Sequence, residues 1–259
     1  LDSFSNQTIL PDELVVCDDC SSDNTLAILQ EYKAKASFNV IILKAEKNQG
    51  STKAFELAVK KATGDWIFFS DQDDVWSSNK IEEFLIAIDS NENNLGLVYS
   101  DYEVVDENLN ALDKNLYVAF DYKNPIIETE NAWKFFLKTC AISGCIMAIK
   151  KEVIENALPF NSVIHDRWIV FVASMTSKIK YIDKKLFFYR QHASQQIGIN
   201  YTKTNEIDAE KALYYFKESI NFEKEVLHFV EKRELFKDRL KYIKNTLNNS
   251  VLMEKRNIF

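Results

Sequence analysis

Trp66-Ile67-Phe68-Phe69-Ser70-Asp71-Gln72-Asp73-Asp74-Val75-Trp76 is the stretch on which the fold turns. Its first five residues are an apolar run of strand length, and the segment from Lys80 to Asp89 places Ile81, Phe84, Leu85 and Ile88 on one helical face. Between the two, four consecutive positions carry three carboxylates. In an open α/β sheet, ligands collect at the carboxyl ends of strands, and hard divalent cations take oxygen ligands while leaving positions for phosphate. Carboxylates at i and i+2 on such a turn can hold Mg²⁺ or Mn²⁺ against a nucleotide diphosphate, and the same residues can equally form an acidic surface turn that caps the next helix. An EF-hand does not fit, because Val75 and Trp76 stand where a ligand and the required Gly belong.

Upstream, Leu14-Val15-Val16-Cys17 is a short apolar run ending in Asp18-Asp19, followed by Ser21-Ser22-Asp23 and an amphipathic stretch with Leu26, Ile28, Leu29 and Tyr32. This reads as strand, polar turn, helix. Val40 to Leu43 predicts a second strand, and Ser51 to Ala62 a helix stopped by Gly64. Downstream of the acidic stretch, Leu97 to Ser100 predicts a strand ending in Asp101. Strands and helices alternating through short links imply right-handed crossovers and a mainly parallel central sheet flanked by helices. The polar strand ends Asp18 and Asp19, Asn48, Asp71 and Asp73, and Asp101 would then converge on one crevice.

Beyond residue 120 the rhythm changes to a helix Thr129 to Leu137, a strand Cys145 to Ile149, and strands Ile179 to Asp183 and Leu186 to Arg190. From Asn205 the chain reads as helical, charged and amphipathic, with Leu213, Phe216, Ile220, Val226, Leu227 and Val230 apolar. That stripe by default packs against its own chain, with a dimer seam or a membrane surface as alternatives. The expected division is an α/β domain over 1–204 and a helical extension over 205–259.

At 259 residues the chain can bury a substantial core, and its 46% apolar and 27% charged composition is that of a globular enzyme. No apolar run approaches the roughly 20 residues of a membrane span. The net charge of −7 argues against nonspecific nucleic-acid binding. Cys17-x-x-Cys20 with Cys140 and Cys145 can be read as a Zn²⁺ site, but neither pair forms a compact knuckle, and buried free thiols are the simpler account.

Val16-Cys17-Asp18-Asp19-Cys20-Ser21-Ser22-Asp23-Asn24-Thr25, Asn48-Gln49-Gly50, Gly64-Asp65-Trp66-Ile67, Phe69 to Trp76 and Tyr189-Arg190-Gln191-His192 occur in one order, and this series resembles the family 2 glycosyltransferases of the GT-A fold. The Asp-Gln-Asp-Asp-Val-Trp version is similar to the rhamnosyltransferase-like branch, which builds bacterial surface polysaccharides. The resemblance covers residues 1 to about 200. It implies inverting transfer from a nucleotide-diphosphate sugar, dTDP-rhamnose or a UDP-sugar, to a hydroxyl of a glycan or lipid-linked glycan acceptor. It further implies Mn²⁺ or Mg²⁺ on the diphosphate and a site at the cytoplasmic membrane face, with peripheral membrane contact possible.

By that resemblance Asp18, Asp19, Lys53 and Asp71 serve the nucleotide, with Asp19 favoured for base recognition. Asp73 and His192 serve the metal, and Asp74 and Arg190 the donor sugar and diphosphate. Gly144, Cys145 and Trp168 face the acceptor, and Asp166 of His165-Asp166 is the general base. The residues taken alone leave plainer roles open: an N-cap for Asp166, an exposed lysine for Lys53, a core tryptophan for Trp168. Two rivals also stay open, a noncatalytic nucleotide-sugar or glycan-binding module and a nucleotidyltransferase, although no Gly-rich triphosphate loop is evident.

The chain departs from the family pattern twice. Cys20 stands where the family's Asp-Asp-Gly-Ser turn has Gly, a position that can demand a backbone angle hostile to a Cβ. Leu1 to Thr8 resembles the end of the family's first helix, so the family's opening strand, normally central, is expected to lie outside this sequence, as in a fragment of a longer chain.

Overall fold

The computed structural model describes residues 1–90, 92–112, 131–160, 164–192 and 209–255. Contacts divide the chain into two compact units, one holding the described residues up to His192 and the other those from Ala209. In the first unit the order is α1 (Asp2–Ser5), β1 (Glu13–Asp18), α2 (Thr25–Lys35), β2 (Asn39–Lys44), α3 (Ser51–Lys61), β3 (Trp66–Phe68), β4 (Val75–Trp76), α4 (Lys80–Ile88) and β5 (Leu95–Val105). After the next described residue, Asn131, come α5 (Ala132–Phe136), β6 (Met147–Lys150), α6 (Lys151–Ala157), α7 (His165–Thr176) and β7 (Lys178–Arg190).

The expected helices and strands form close to their predicted bounds, but they do not pair as a mainly parallel sheet. β1 and β2 pair in parallel as a separate two-stranded sheet, and a five-stranded sheet runs in the order β3-β6-β5-β7-β4. Within the larger sheet only β5 and β7 are parallel; β6 runs antiparallel to both β3 and β5, and β4 antiparallel to β7. The reason is β6, which inserts between β3 and β5 antiparallel to both, a non-local pairing that strand-helix alternation does not encode.

β5 is the central strand. Leu97, Val98 and Tyr99 are at most 1% exposed, as expected of a strand covered on both faces. It runs on to Val105, so Asp101 lies in mid-strand, with register shifts on either side of it. Asp101 therefore does not join the other acids at the strand ends, and the two expected strands around Asp183 are one continuous β7. At Gly96 a Cβ would come 2.1 Å from Ser177 Oγ, so only Gly lets β5 pass beneath the end of α7.

α4 buries Ile81, Phe84 and Ala87 and leaves Ile86 63% exposed, the one-sided pattern its spacing predicts. α7 is buried nearly all round, from Trp168 through Ala173, and packs on α5, α6, β5 and β7. The helix expected from Thr129 is described from Ala132; Thr129 and Glu130 lie outside the described residues.

The second unit is α8 (Ala209–Glu231) and α9 (Lys237–Lys255), joined through a 3₁₀ turn at Glu234–Phe236. Ile220, Val226, Val230 and Ile243 are buried, Phe229 stacks on Phe236 at 6.1 Å, and Ser250 Oγ donates to Glu223 Oε1 at 3.1 Å. Much of the predicted apolar stripe therefore serves the pairing of these two helices.

Candidate functional site

The acidic loop owes its position to sheet order. β3 and β4 lie at opposite edges of the same sheet, so residues 69–74 must cross its end. Four inter-strand steps of about 4.8 Å make about 19 Å, and the seven steps from Phe68 to Val75 reach about 23 Å when extended. Little slack remains, and the carboxylates are pinned over the ends of β6, β5 and β7. What the loop meets there follows from strand direction: the 3₁₀ turn Gly144–Ile146 that leads into β6, and Arg190 to His192 at the end of β7.

Asp74 Oδ1 accepts the backbone N–H of Arg190 at 2.9 Å, whereas Asp74 Oδ2 is buried without a hydrogen-bond partner. Burial, with Asp73 and Asp71 beside it, pushes the Asp74 carboxyl up to about 7. Burial, then Asp73 and Asp166, raise Asp71 to about 6. Ligand atoms of Asp71, Asp74 and Cys145 lie within 4.8 Å of one another, and Asp73 Oδ2 is 3.2 Å from His192 Nε2. Crowded carboxylates, one with a buried and unsatisfied oxygen, are a donor set that a divalent cation would relieve, so these residues fit the metal that the resemblance implies.

Asp166 is the second residue of α7, not its N-cap, a position that falls to Ile164. Its Oδ1 accepts Arg167 N–H at 2.7 Å and its Oδ2 accepts Gly144 N–H at 3.2 Å, with Cys140 Sγ 3.7 Å from Oδ1. The carboxylate is thereby held on the same 3₁₀ turn that carries Cys145.

The remaining predicted residues divide. Asp19 accepts the N–H groups of Gln49 at 2.9 Å and Gly50 at 2.7 Å, tying the turn after β1 to the start of α3. Asp18 is 3% exposed and accepts Ser21 N–H at 3.2 Å. Lys53 donates to Glu56 at 2.8 Å and to the Phe160 carbonyl at 3.4 Å. Trp168 does not face an acceptor: it is 2% exposed, its Nε1 donates to the Ala157 carbonyl at 2.7 Å, and it is a core residue. Gly144 and Cys145 are buried, whereas the adjacent Ser143 is exposed, so the buried pair shapes this wall from beneath its surface. All four cysteines are free, with Cys145 buried and Cys140 exposed.

Two residues received no role from sequence. Lys80 is fully buried, donates to the Cys145 carbonyl at 2.7 Å and lies 4.1 Å from the Trp76 ring centroid. Burial pulls its ammonium down to about 7, opposed by Cys145 and Asp74. It ties Trp76, at the end of β4, to the 3₁₀ turn, and a lysine at the first position of an amphipathic helix gives no sequence signal of such burial. The other is His165, whose ring lies 4.3 Å from that of Phe55.

Solved structures share this architecture. Staphylococcus aureus TarS 1–349 in complex with UDP superposes with a TM-score of 0.57 at 15% identity, covering 99% of this chain and 83% of that one. A Pyrobaculum calidifontis mannosyltransferase in complex with GDP-Man and Mn²⁺ gives 0.60 at 15% identity over 95% of this chain and 64% of that one. The fold is thus the GT-A α/β fold of nucleotide-diphospho-sugar transferases. The chain belongs to glycosyl transferase family 2, whose family model matches residues 1–158.

Curated relatives include an uncharacterized glycosyltransferase of Nostoc sp., 26% identical over 217 residues. A dTDP-rhamnosyl transferase of Shigella flexneri is 29% identical over 215 residues. A UDP-Glc:α-D-GlcNAc-diphosphoundecaprenol β-1,3-glucosyltransferase of Escherichia coli is 29% identical over 173 residues. The matches cover 81%, 77% and 67% of this chain, and 65%, 70% and 62% of the respective relatives.

Proposed function

We propose that this chain is the catalytic part of an inverting glycosyltransferase. It moves a sugar from a nucleotide-diphosphate donor, dTDP-rhamnose or a UDP-sugar, to a hydroxyl of a bacterial cell-surface polysaccharide precursor. The observation that carries the reading is the placement of Asp166, held by the Gly144 and Arg167 N–H groups and close enough to Asp71 for its charge to raise that carboxyl. In this reading the loop carboxylates serve the donor and Asp166, held apart from them on the 3₁₀ turn, serves the acceptor, as a single displacement requires.

Asp166 takes the proton of the acceptor hydroxyl as its oxygen bonds to the anomeric carbon. The bond from that carbon to the diphosphate oxygen breaks, and its electron pair leaves with the nucleoside diphosphate. Asp73 and His192 would hold the divalent cation, beside Asp71 and Asp74, and when bound it would supply charge neutralisation for the leaving diphosphate. Asp19, by fixing Gln49 and Gly50, shapes the wall against which the base would lie. A pyrimidine donor is supported by relatives named for dTDP-rhamnosyl and UDP-glucosyl transfer.

A lipid-linked acceptor is supported by the second of these names, and with such an acceptor the chain would work at the cytoplasmic face of the membrane through peripheral contact. No helix among the described residues is long and apolar enough to cross a membrane.

Asp166→Asn keeps the size of the side chain and removes the base. Transfer, followed as nucleoside diphosphate release, is expected to fall by about 10²-fold or more while nucleotide affinity is kept. Unchanged transfer would sink the catalytic reading and leave a binding module.

A further inference from the structure

His165 is set in an aromatic box. Its ring centroid is 4.3 Å from Phe55 at 31°, 5.5 Å from Phe69 and 6.4 Å from Phe160. Those three rings come from α3, from the end of β3 and from the segment after α6, so three separate parts of the unit fix one imidazole. Its edge lies at Gly144, where a Cβ would sit 3.4 Å from His165 Nε2 and 3.7 Å from Asp166 Cβ. Among the described residues neither ring nitrogen has a hydrogen-bond partner, and neither is sealed from solvent. Burial lowers its basicity, with Asp166 opposing, which favours the neutral ring carrying one N–H and one lone pair.

A polar ring held by three aromatic neighbours, with neither nitrogen bonded to protein, is poorly explained by packing alone, since phenylalanine would fill the same box. A pyranose hydroxyl, both donor and acceptor, complements a neutral imidazole. We infer that His165 is a specificity-determining contact for the acceptor sugar, bonding a hydroxyl next to the one that Asp166 deprotonates. This deepens, and rests on, the transferase reading above.

Saturation-transfer NMR with methyl glucoside, methyl N-acetylglucosaminide and methyl rhamnoside, in the presence of UDP or dTDP and Mg²⁺, tests it without turnover. Wild type, His165→Phe and His165→Gln are compared; the first variant keeps the aromatic packing and removes both nitrogens, and the second restores a polar group near Nε2. The expected result is a signal from at least one glycoside in wild type, weakened about tenfold in His165→Phe, the size of one lost hydrogen bond. His165→Gln should regain part of it, and the melting shift caused by nucleotide should stay as in wild type in both.

His165→Ala replaces His165→Phe if the latter melts early. An unchanged glycoside signal without the imidazole, no glycoside signal in wild type, or equal loss of glycoside and nucleotide responses would each overturn the assignment. Transfer that depends on Asp166 alongside an unchanged glycoside signal overturns this inference alone. Transfer indifferent to Asp166→Asn overturns the reading beneath it.

Discussion

Cys20 holds a backbone φ of +66°, in the left-handed region that a residue with a Cβ enters at a cost of about 1–2 kcal/mol. Its Sγ donates to the Ala45 carbonyl at 3.2 Å, a weak compensation. Glycine would relieve the strain but add freedom to the unfolded chain, about 0.5–1 kcal/mol in the opposite sense. Cys20→Gly is therefore expected to stabilise the protein by up to about 1 kcal/mol, or a few degrees in Tm, and Cys20→Ala to destabilise it slightly. Thermal melts of the two variants decide; a Gly variant melting below the Ala variant would show that strain at this turn is not the larger effect.

Glu56 shows how one element is tied down. It sits 6% exposed on α3, where Oε2 accepts Lys53 at 2.8 Å and the Phe160 backbone N–H at 3.1 Å, and Oε1 accepts Lys60. Burial alone would raise its carboxyl, but hydrogen bonds from Lys53, Lys60 and Phe160 outweigh it and hold the group below its ordinary 4.5. A depressed folded value means that the unfolded chain binds the proton more readily. Its stabilisation is thus complete above about pH 4.5 and is lost as pH falls through the lower folded value. Glu56→Gln should cost about 1–3 kcal/mol near neutrality, with the gap to wild type closing in denaturant melts below about pH 4.5. A gap independent of pH would mean that packing rather than charge holds α3 to Phe160.

For the molecule as a whole, the donor site is an assembly of loops on a sheet, so ligand and cation should report on each other. Titrating UDP, dTDP, GDP and CDP with Mn²⁺ or Mg²⁺ is expected to raise Tm for a pyrimidine diphosphate only with metal present. At a hundred times Kd the gain is about 2.7 kcal/mol, or roughly 5–10 °C. Asp73→Ala should abolish it; a shift that survives the substitution would remove Asp73 and His192 from the metal site and leave Asp71 and Asp74 to hold it.

The local chemistry was legible in the sequence by itself. Strand, turn and helix around Asp71 to Asp74, the left-handed demand at Cys20 and the stop at Gly64 depend on residues within a few positions of one another, where periodicity and turn preference act. The order of the motifs also singled out Asp71, Asp73, Asp74 and Asp166, but it gave no role to Lys80 or His165 and set Trp168 at the acceptor rather than in the core. What only tertiary structure decided was who meets whom. β6 reverses into the sheet between β3 and β5, and this makes the acidic loop a taut bridge over the sheet end. It also brings Cys145 and Lys80 together, sends Trp168 into the core, and closes three aromatic rings around His165. Those contacts join residues up to about a hundred positions apart, and their energy comes from burial and strand pairing across the whole unit, which no local pattern contains.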